Sequence, residues 1–374
     1  MNAEKPCGPG RDAPAASGHA MPIVHSHDEW SRLEEVIVGR AEDACVPVWH
    51  PVLAATMPEC HHAWFQKNGG RPIPQELLRA AAHELDGLCA LLEREGVVVR
   101  RPDRLDWSLP FSTPDFGPTC GLYGAMPRDV LIVIGDEVIE APMSWRSRYF
   151  ESFAYRSLLK QYFAQGARWT AAPKPRLQDS FFIDQSQHGG YDVASGRLVI
   201  SEEEPVFDAA DFSRCGRDIF CQLSQVTNRF GIDWLRRHLG PNYRIHVLDF
   251  DDPHAMHIDA SFVPLRPGCV LINPERMSAL PPLLKNWQML IPPEPTVPAS
   301  HPFYFSSRWL SLNVLSLDEE RVVVEAQERP LISFLKANGF DPIPLPFRNF
   351  GSLGGGFHCA TCDIRRQGPL RSYL

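Results

Sequence analysis

Short apolar runs of one kind recur along the chain near Val38, Val133, Val199, Leu271 and Val323, most of them closed by a Gly, Asn or Glu. Each is too short for a helix and rich in Val, Ile or Leu, so each reads as a buried strand. Repeated units of this type suggest a ring, although the same spacing also permits an open α/β sheet. Between the runs, residues 74–96 carry Leu77, Leu78, Ala81, Leu85, Leu88, Leu91 and Leu92 at three- and four-residue spacing. That pattern predicts an amphipathic helix ended by Gly96. Helices are also expected over 149–166 and 224–239, and strands at 33–38, 97–99, 130–135, 198–200, 244–248, 269–273 and 321–325.

Near the carboxy terminus, Gly351, Gly354, Gly355 and Gly356 crowd the approach to Cys359. Glycine lets a backbone take positive φ or come close to a ligand, so this run reads as a tight loop presenting one cysteine. A thiolate there would be a nucleophile, with its pKa lowered by an imidazolium drawn from elsewhere in the chain. Cys359 and Cys362 also form a Cys-x-x-Cys pair, the pattern of half a zinc site or of a redox dithiol. The remaining cysteines are isolated and supply no second pair. His358 reads as scaffold, because neighbouring side chains on a strand face opposite ways. Asp129 stands at the mouth of a buried strand, and His257 and Asp259 share a side if that stretch is extended.

At 374 residues and 44% hydrophobic content the chain can bury a large core. A net charge of -8 with no basic run lacks the footprint of nucleic-acid binding, which points to a small substrate. No apolar run reaches the ~20 residues needed to cross a bilayer, and no signal-peptide layout is visible. Ten scattered cysteines suit free thiols in a reducing compartment, so a cytoplasmic location is expected. Residues 1–28, rich in Pro, Gly, Ala and Ser, are expected to be a disordered leader, and 29–374 a single catalytic domain.

Several longer stretches resemble the amidinotransferases, specifically the arginine:glycine group of the guanidino-modifying enzymes. They are Met126-Pro127-Arg128-Asp129, Glu140-Ala141-Pro142-Met143, Trp145-Arg146-Ser147-Arg148, Phe207-Asp208-Ala209-Ala210-Asp211-Phe212 and Gly216-Arg217-Asp218-Ile219-Phe220. Met256-His257-Ile258-Asp259-Ala260, Ser306-Ser307-Arg308-Trp309-Leu310-Ser311 and Gly354-Gly355-Gly356-Phe357-His358-Cys359 complete the series. The resemblance implies a fivefold pseudosymmetric α/β propeller of ββαβ-type modules around one central active site, and a homodimer. It implies Cys359 as nucleophile, His257 as general acid and base, and Asp208 as the carboxylate that orients His257. Asp129 and Asp259 would grip the donor guanidinium, Arg276 its carboxylate, and Ser306 and Ser307 its amino-acid end. Met256 and His254 belong to the substrate-binding loop beside His257.

The activity so implied is transfer of the amidino group from L-arginine to a small primary amine, with an amidino-cysteine intermediate and no cofactor or metal. Glycine, giving guanidinoacetate and ornithine, is the expected acceptor. The alternatives are lysine or a biosynthetic amine, a deiminase-type hydrolysis, and a non-enzymatic arginine-binding protein. Two departures bear on the acceptor. The glycine-using members carry Asn and Pro where this chain has His254 and Ala255, and a tryptophan where it has Ala360.

Overall fold

The computed structural model describes residues 22–298 and 308–374. Its strands are β1 (Leu33–Val38), β2 (Val98–Arg100), β3 (Leu131–Ile134), β4 (Glu137–Glu140), β5 (Arg168–Ala171), β6 (Phe212–Cys215), β7 (Asp218–Cys221) and β8 (Arg244–Val247). They continue as β9 (Phe262–Arg266), β10 (Cys269–Ile272), β11 (Gln288–Leu290), β12 (Leu315–Ser316), β13 (Arg321–Glu325), β14 (Asp341–Leu345) and β15 (Thr361–Arg366). They form five three-stranded sheets: β15-β1-β2, β3-β4-β5, β6-β7-β8, β9-β10-β11 and β12-β13-β14. In every sheet the middle strand runs antiparallel to the first and parallel to the third.

A parallel neighbour requires a crossover, because a tight hairpin reverses the chain. Helices Gln75–Arg94, Arg156–Ala164, Arg229–Leu239 and Arg329–Ala337 supply it in four blades. In the blade β9-β10-β11 the short turn Pro282–Leu284 does so. The result is the fivefold pseudosymmetric α/β propeller. One blade is closed by the two ends of the chain, with Val36 paired to Asp363 and Ile37 to Cys362. That pairing carries the cysteine loop into the ring.

Helix Gln75–Arg94 buries Leu78, Ala81, Leu85, Leu88, Leu91 and Leu92, as its periodicity predicts. It also buries Glu84, which accepts the Phe350 N–H at 2.7 Å and the Asn349 Nδ2–H at 2.7 Å. The crossover helix of the first-numbered blade thus anchors the lead-in to the glycine run. Helix Arg229–Leu239 starts later than the expected 224, because Asn228 caps it by accepting from Gly231 N–H at 2.8 Å. Ser224 instead accepts the N–H groups of Val226 and Thr227, which makes 224–227 a turn.

The run 198–200 is not a propeller strand. Val199 N–H donates to the Gln225 side chain at 2.7 Å, and Ile200 makes only an isolated bridge to Phe182. The third blade uses β6 and β7, whose interspersed Arg214 and Asp218 hide them from an apolar-run search. Residues 22–28, assigned to the leader by composition, are packed here: Val24, Ser26 and Asp28 are fully buried. His25 N–H donates to Ile364 O at 2.9 Å and Ser26 N–H to Gly135 O at 3.0 Å, so backbone pairing holds a stretch with little apolar surface. Residues 1–21 lie outside the described residues.

Candidate active site

A turn precedes the first strand of each blade, and each turn carries a polar or nucleophilic residue. Asp129 lies in the one-turn helix Pro127–Val130, Asp208 caps Ala209–Asp211, and Asp259 lies in Ile258–Ala260. Asn313 follows the turn Arg308–Leu312, and Cys359 comes just before β15. The turns neighbour one another in that order, and β15 returns to Pro127–Val130. Residues far apart in sequence therefore share one end of the propeller because they occupy equivalent places in its modules.

His257 has φ 65° and ψ 126°, a left-handed conformation that is rare outside glycine. The stretch is therefore not extended, and His257 and Asp259 engage different partners. His257 Nε2 is 3.1 Å from Asp208 Oδ2, and Nδ1 is 3.6 Å from Asp129 Oδ1. Burial pulls the imidazole pKa down, but Asp129 and Asp208 outweigh it, with Asp211 adding to them, and push it up to about 10. At neutral pH His257 is an imidazolium.

Arg148 is buried behind these acids. Its Nη1 lies 2.9 Å from Asp129 Oδ2 and 3.7 Å from Asp208 Oδ2, and its Nε donates to Glu151 Oε2 at 2.8 Å. Asp129 Oδ1 and Asp208 Oδ1 are buried and make no hydrogen bond to the described residues. Of the two, Asp129 lines a cleft, so its Oδ1 is an acceptor that a ligand's N–H group can meet beside a protonated imidazole.

Cys359 is 3% exposed. Its N–H donates to Asn313 Oδ1 at 3.0 Å, while Asn313 Nδ2–H donates to Asp259 O at 3.3 Å. One amide thereby ties the cysteine turn to the turn bearing Asp259. Three of the four glycines serve close approach or positive φ, as expected, whereas Gly351 ends the short helix Arg348–Gly351 in open space. A Cβ on Gly355 would stand 2.8 Å from Cys359 Cβ, one on Gly356 would stand 2.7 Å from Asn313 O, and Gly354 has φ 94°.

Cys359 Sγ is 3.4 Å from Asp259 Oδ2. Burial, Asp259 and Asp129 together hold the thiol well above its ordinary pKa, so without a cationic ligand it keeps its proton. Asp259 is held below the usual carboxylate range: burial raises its pKa, but His358, with His257 and Asn313 adding to it, outweighs that effect. Cys362 faces the core instead, donating to Leu131 O at 3.6 Å, and burial pushes its thiol up to about 12. Among the described residues no group of three or more His, Cys, Asp or Glu is arranged to hold a metal ion.

A cleft enclosing about 440 Å³ opens onto Asp129, Arg148 and His257, with Leu53, Met57, Leu122, Met256 and Leu353 among its walls. His254 does not line the cleft: its ring is exposed, and Nδ1 lies 2.6 Å from Ala55 O of the helix Pro51–Thr56, which contributes Leu53 to the wall. Arg276 also lies outside the lining, paired with Asp252 at 2.9 Å and donating to Ser261 Oγ at 2.9 Å. Ser306 and Ser307 lie outside the described residues. Sequence reasoning gave no role to Arg148 or Asn313. Arg148 sits in a stretch singled out for resemblance, yet its contact with Asp208 exists only after two blades are brought together.

No family model matches the chain. Known proteins do. An L-arginine:L-lysine amidinotransferase of Pseudomonas savastanoi pv. phaseolicola is 52% identical over 351 residues, spanning 94% of this chain and 96% of that protein. A mitochondrial glycine amidinotransferase of Gallus gallus is 50% identical over 358 residues, 94% of this chain and 85% of that protein. Among solved structures, SxtG, an amidinotransferase of the saxitoxin biosynthetic pathway of Microseira wollei, superposes with TM-score 0.87 at 48% identity, covering 94% of this chain and 100% of that one. With half its residues shared over nearly its whole length, and with a thiol, an imidazolium and open carboxylates drawn together by five equivalent turns, the chain belongs to the arginine:glycine amidinotransferase family of amidino-group transferases.

Proposed function

We propose that the chain moves the amidino group of L-arginine to a primary amine by way of a covalent bond to Cys359. The observation that carries this reading is the unpartnered Asp129 Oδ1 on the cleft beside a His257 imidazolium held by Asp208, with the Cys359 thiol on Asp259. Asp129 and Asp259 receive the planar donor cation. Its positive charge then offsets the carboxylates that hold the Cys359 proton, and the thiol ionises as the guanidinium docks, releasing its proton to solvent.

The thiolate attacks the guanidino carbon. The bond from that carbon to the substituted nitrogen breaks, His257 gives its proton to the departing nitrogen, and ornithine leaves. Cys359 now carries an S-linked amidino cation. The acceptor enters as an ammonium ion and gives one proton to neutral His257; its nitrogen attacks the same carbon, the carbon–sulfur bond breaks, and the amine's second proton passes to the departing sulfur, which restores the Cys359 thiol. The buried cleft limits competing attack by water.

Glycine, giving guanidinoacetate, is the acceptor expected from the resemblance. The walls support a second reading: Leu53, Met57, Met256 and Leu353 offer apolar contact to an aliphatic chain, which suits lysine, the acceptor named for the Pseudomonas relative. A homodimeric state and a cytoplasmic location belong to the same proposal. No helix among the described residues is long and apolar enough to cross a membrane.

Arginine labelled in its guanidino carbon, incubated with a panel of amines, tests the reaction. Without acceptor, Cys359 should gain one amidino mass as ornithine is released. With acceptor, the label should pass to glycine or to lysine. An adduct on Cys362, or citrulline as the sole product, would refute the transfer chemistry.

A further inference from the structure

His358, next to the cysteine, is bonded at both ring nitrogens. Nδ1 is 2.8 Å from Asp259 Oδ2 and Nε2 is 3.2 Å from Glu29 Oε2. A neutral imidazole has one donor and one acceptor and leaves one of two carboxylates facing a lone pair, whereas an imidazolium donates to both. The pair of contacts therefore calls for a protonated ring. The ring is buried, and so are both of its partners.

The far carboxylate is itself fixed. Glu29 accepts from Arg214 Nε at 2.8 Å and Nη2 at 2.6 Å, and from Arg128 Nη1 at 3.3 Å. Arg128 and Arg214 each also reach Asp363 at 2.7 Å, and Arg366 reaches Asp363 at 2.8 Å. This lattice ties the turn before β3 and strand β6 to strand β15. It leaves Glu29 little freedom to move away from His358. The near carboxylate uses the same atom, Oδ2, toward His358 and toward Cys359 Sγ. His358 thus meets the sulfur through a single intervening oxygen.

We propose that His358 is a positioning residue: a permanent buried imidazolium that keeps Asp259 ionised and aimed at the space between Cys359 and the donor guanidinium. The inference rests on the proposed chemistry and extends it to a second histidine, one that does not touch the reacting atoms. Asp259 is faced by His358 and Cys359 and lies in the fields of His257 and Asp129. His358 is faced by Asp259 and Glu29 and lies in the field of Arg128, and Glu29 by Arg128, Arg214 and His358. Of these groups, His358 is the cation in direct contact with Asp259. Its loss leaves the carboxylate buried beside a thiol and more easily protonated.

The sign follows. Asp259 binds the donor when ionised, and its depressed pKa keeps it so down to acid pH. Without the His358 charge that pKa rises, so donor capture should fail at a higher pH than before. His358→Asn retains a neutral donor near the Nδ1 position and removes the charge. Its acid limb in kcat/KM for arginine should move up by about one pH unit or more. The loss in kcat/KM should be ~10- to 100-fold at pH 6 and smaller at pH 9, and it should fall on the KM of arginine more than on kcat. A uniform loss at every pH, with KM unchanged, would overturn the inference in favour of a packing role.

A measurement on the unaltered protein covers the case in which the variant does not fold. In protein labelled with ¹⁵N-histidine, both ring nitrogens of His358 should keep imidazolium shifts at pH 8, and a neutral tautomer there would overturn the proposal. The amidino adduct on Cys359 of the unaltered protein separates the two readings. Its absence sinks the covalent chemistry, whereas an adduct together with an unshifted His358→Asn profile sinks only this inference.

Discussion

The two sides of the ring handle charge differently. On the cleft side, Asp129, Asp208, His257 and Arg148 lie close together, yet Asp129 Oδ1 and Asp208 Oδ1 lack hydrogen-bond partners among the described residues. On the floor, Glu29, Asp363, Arg128, Arg214 and Arg366 bond to one another. A buried acceptor without a donor costs free energy until something supplies one, and the proposed function assigns that part to the donor guanidinium at Asp129. The floor is complete without one. Its expected role is to fix the strands that present the turns, and His358 is the point at which the two sides meet.

The comparison breaks most readily at the residues to which the proposed chemistry is assigned. His257→Asn should lower kcat by ~100- to 10,000-fold and leave little ornithine in single-turnover assays, with the far-UV spectrum unchanged. A variant with near-normal turnover would remove the cleft side from the chemistry. On the floor, Arg214→Met leaves Glu29 and Asp363 each short of a counterion, and the cost should be about 3–5 kcal/mol in denaturant melts. An Arg214→Met protein as stable as the parent would mean that the floor is not structural.

Asp129→Asn should do the reverse of Arg214→Met. It weakens a charged contact to the donor, so the KM of arginine should rise ~10- to 100-fold with little change in the midpoint of unfolding. The smallest expected effect is alkaline. The His257 pKa is raised from 6.5 to about 10 in the folded protein, so its contribution to stability is fully present below about pH 6.5 and fades as pH climbs toward 10. Thermal melts between pH 7 and 10 should therefore decline less steeply for His257→Asn than for the parent. Parallel declines would show that the imidazolium adds nothing to folding.

Periodicity gave helix Gln75–Arg94 almost residue for residue, because an amphipathic stripe of leucines records which face is buried. Most of the apolar runs marked real propeller strands. The exception, 198–200, failed because an apolar triplet can pack as irregular chain when Gln225 satisfies its backbone. The blade it was taken to represent was masked by Arg214 and Asp218, charges that are paired only in the folded ring. The leader boundary fell late for a related reason: residues 22–28 are held by backbone pairing, which composition does not encode.

The sequence by itself determined the α/β class, the close glycine approach to Cys359 and, through its long motifs, the family. These are local properties, carried by spacing, side-chain volume and the steric freedom of glycine. Only the tertiary structure decided that His257 leaves the extended conformation, that His254 braces a helix outside the cleft, and that Arg148, Asn313 and His358 hold the site in register. Hydrogen bonds and ion pairs between turns separated in the chain depend on how the folded blades bring those turns together. No pattern along the chain records that arrangement.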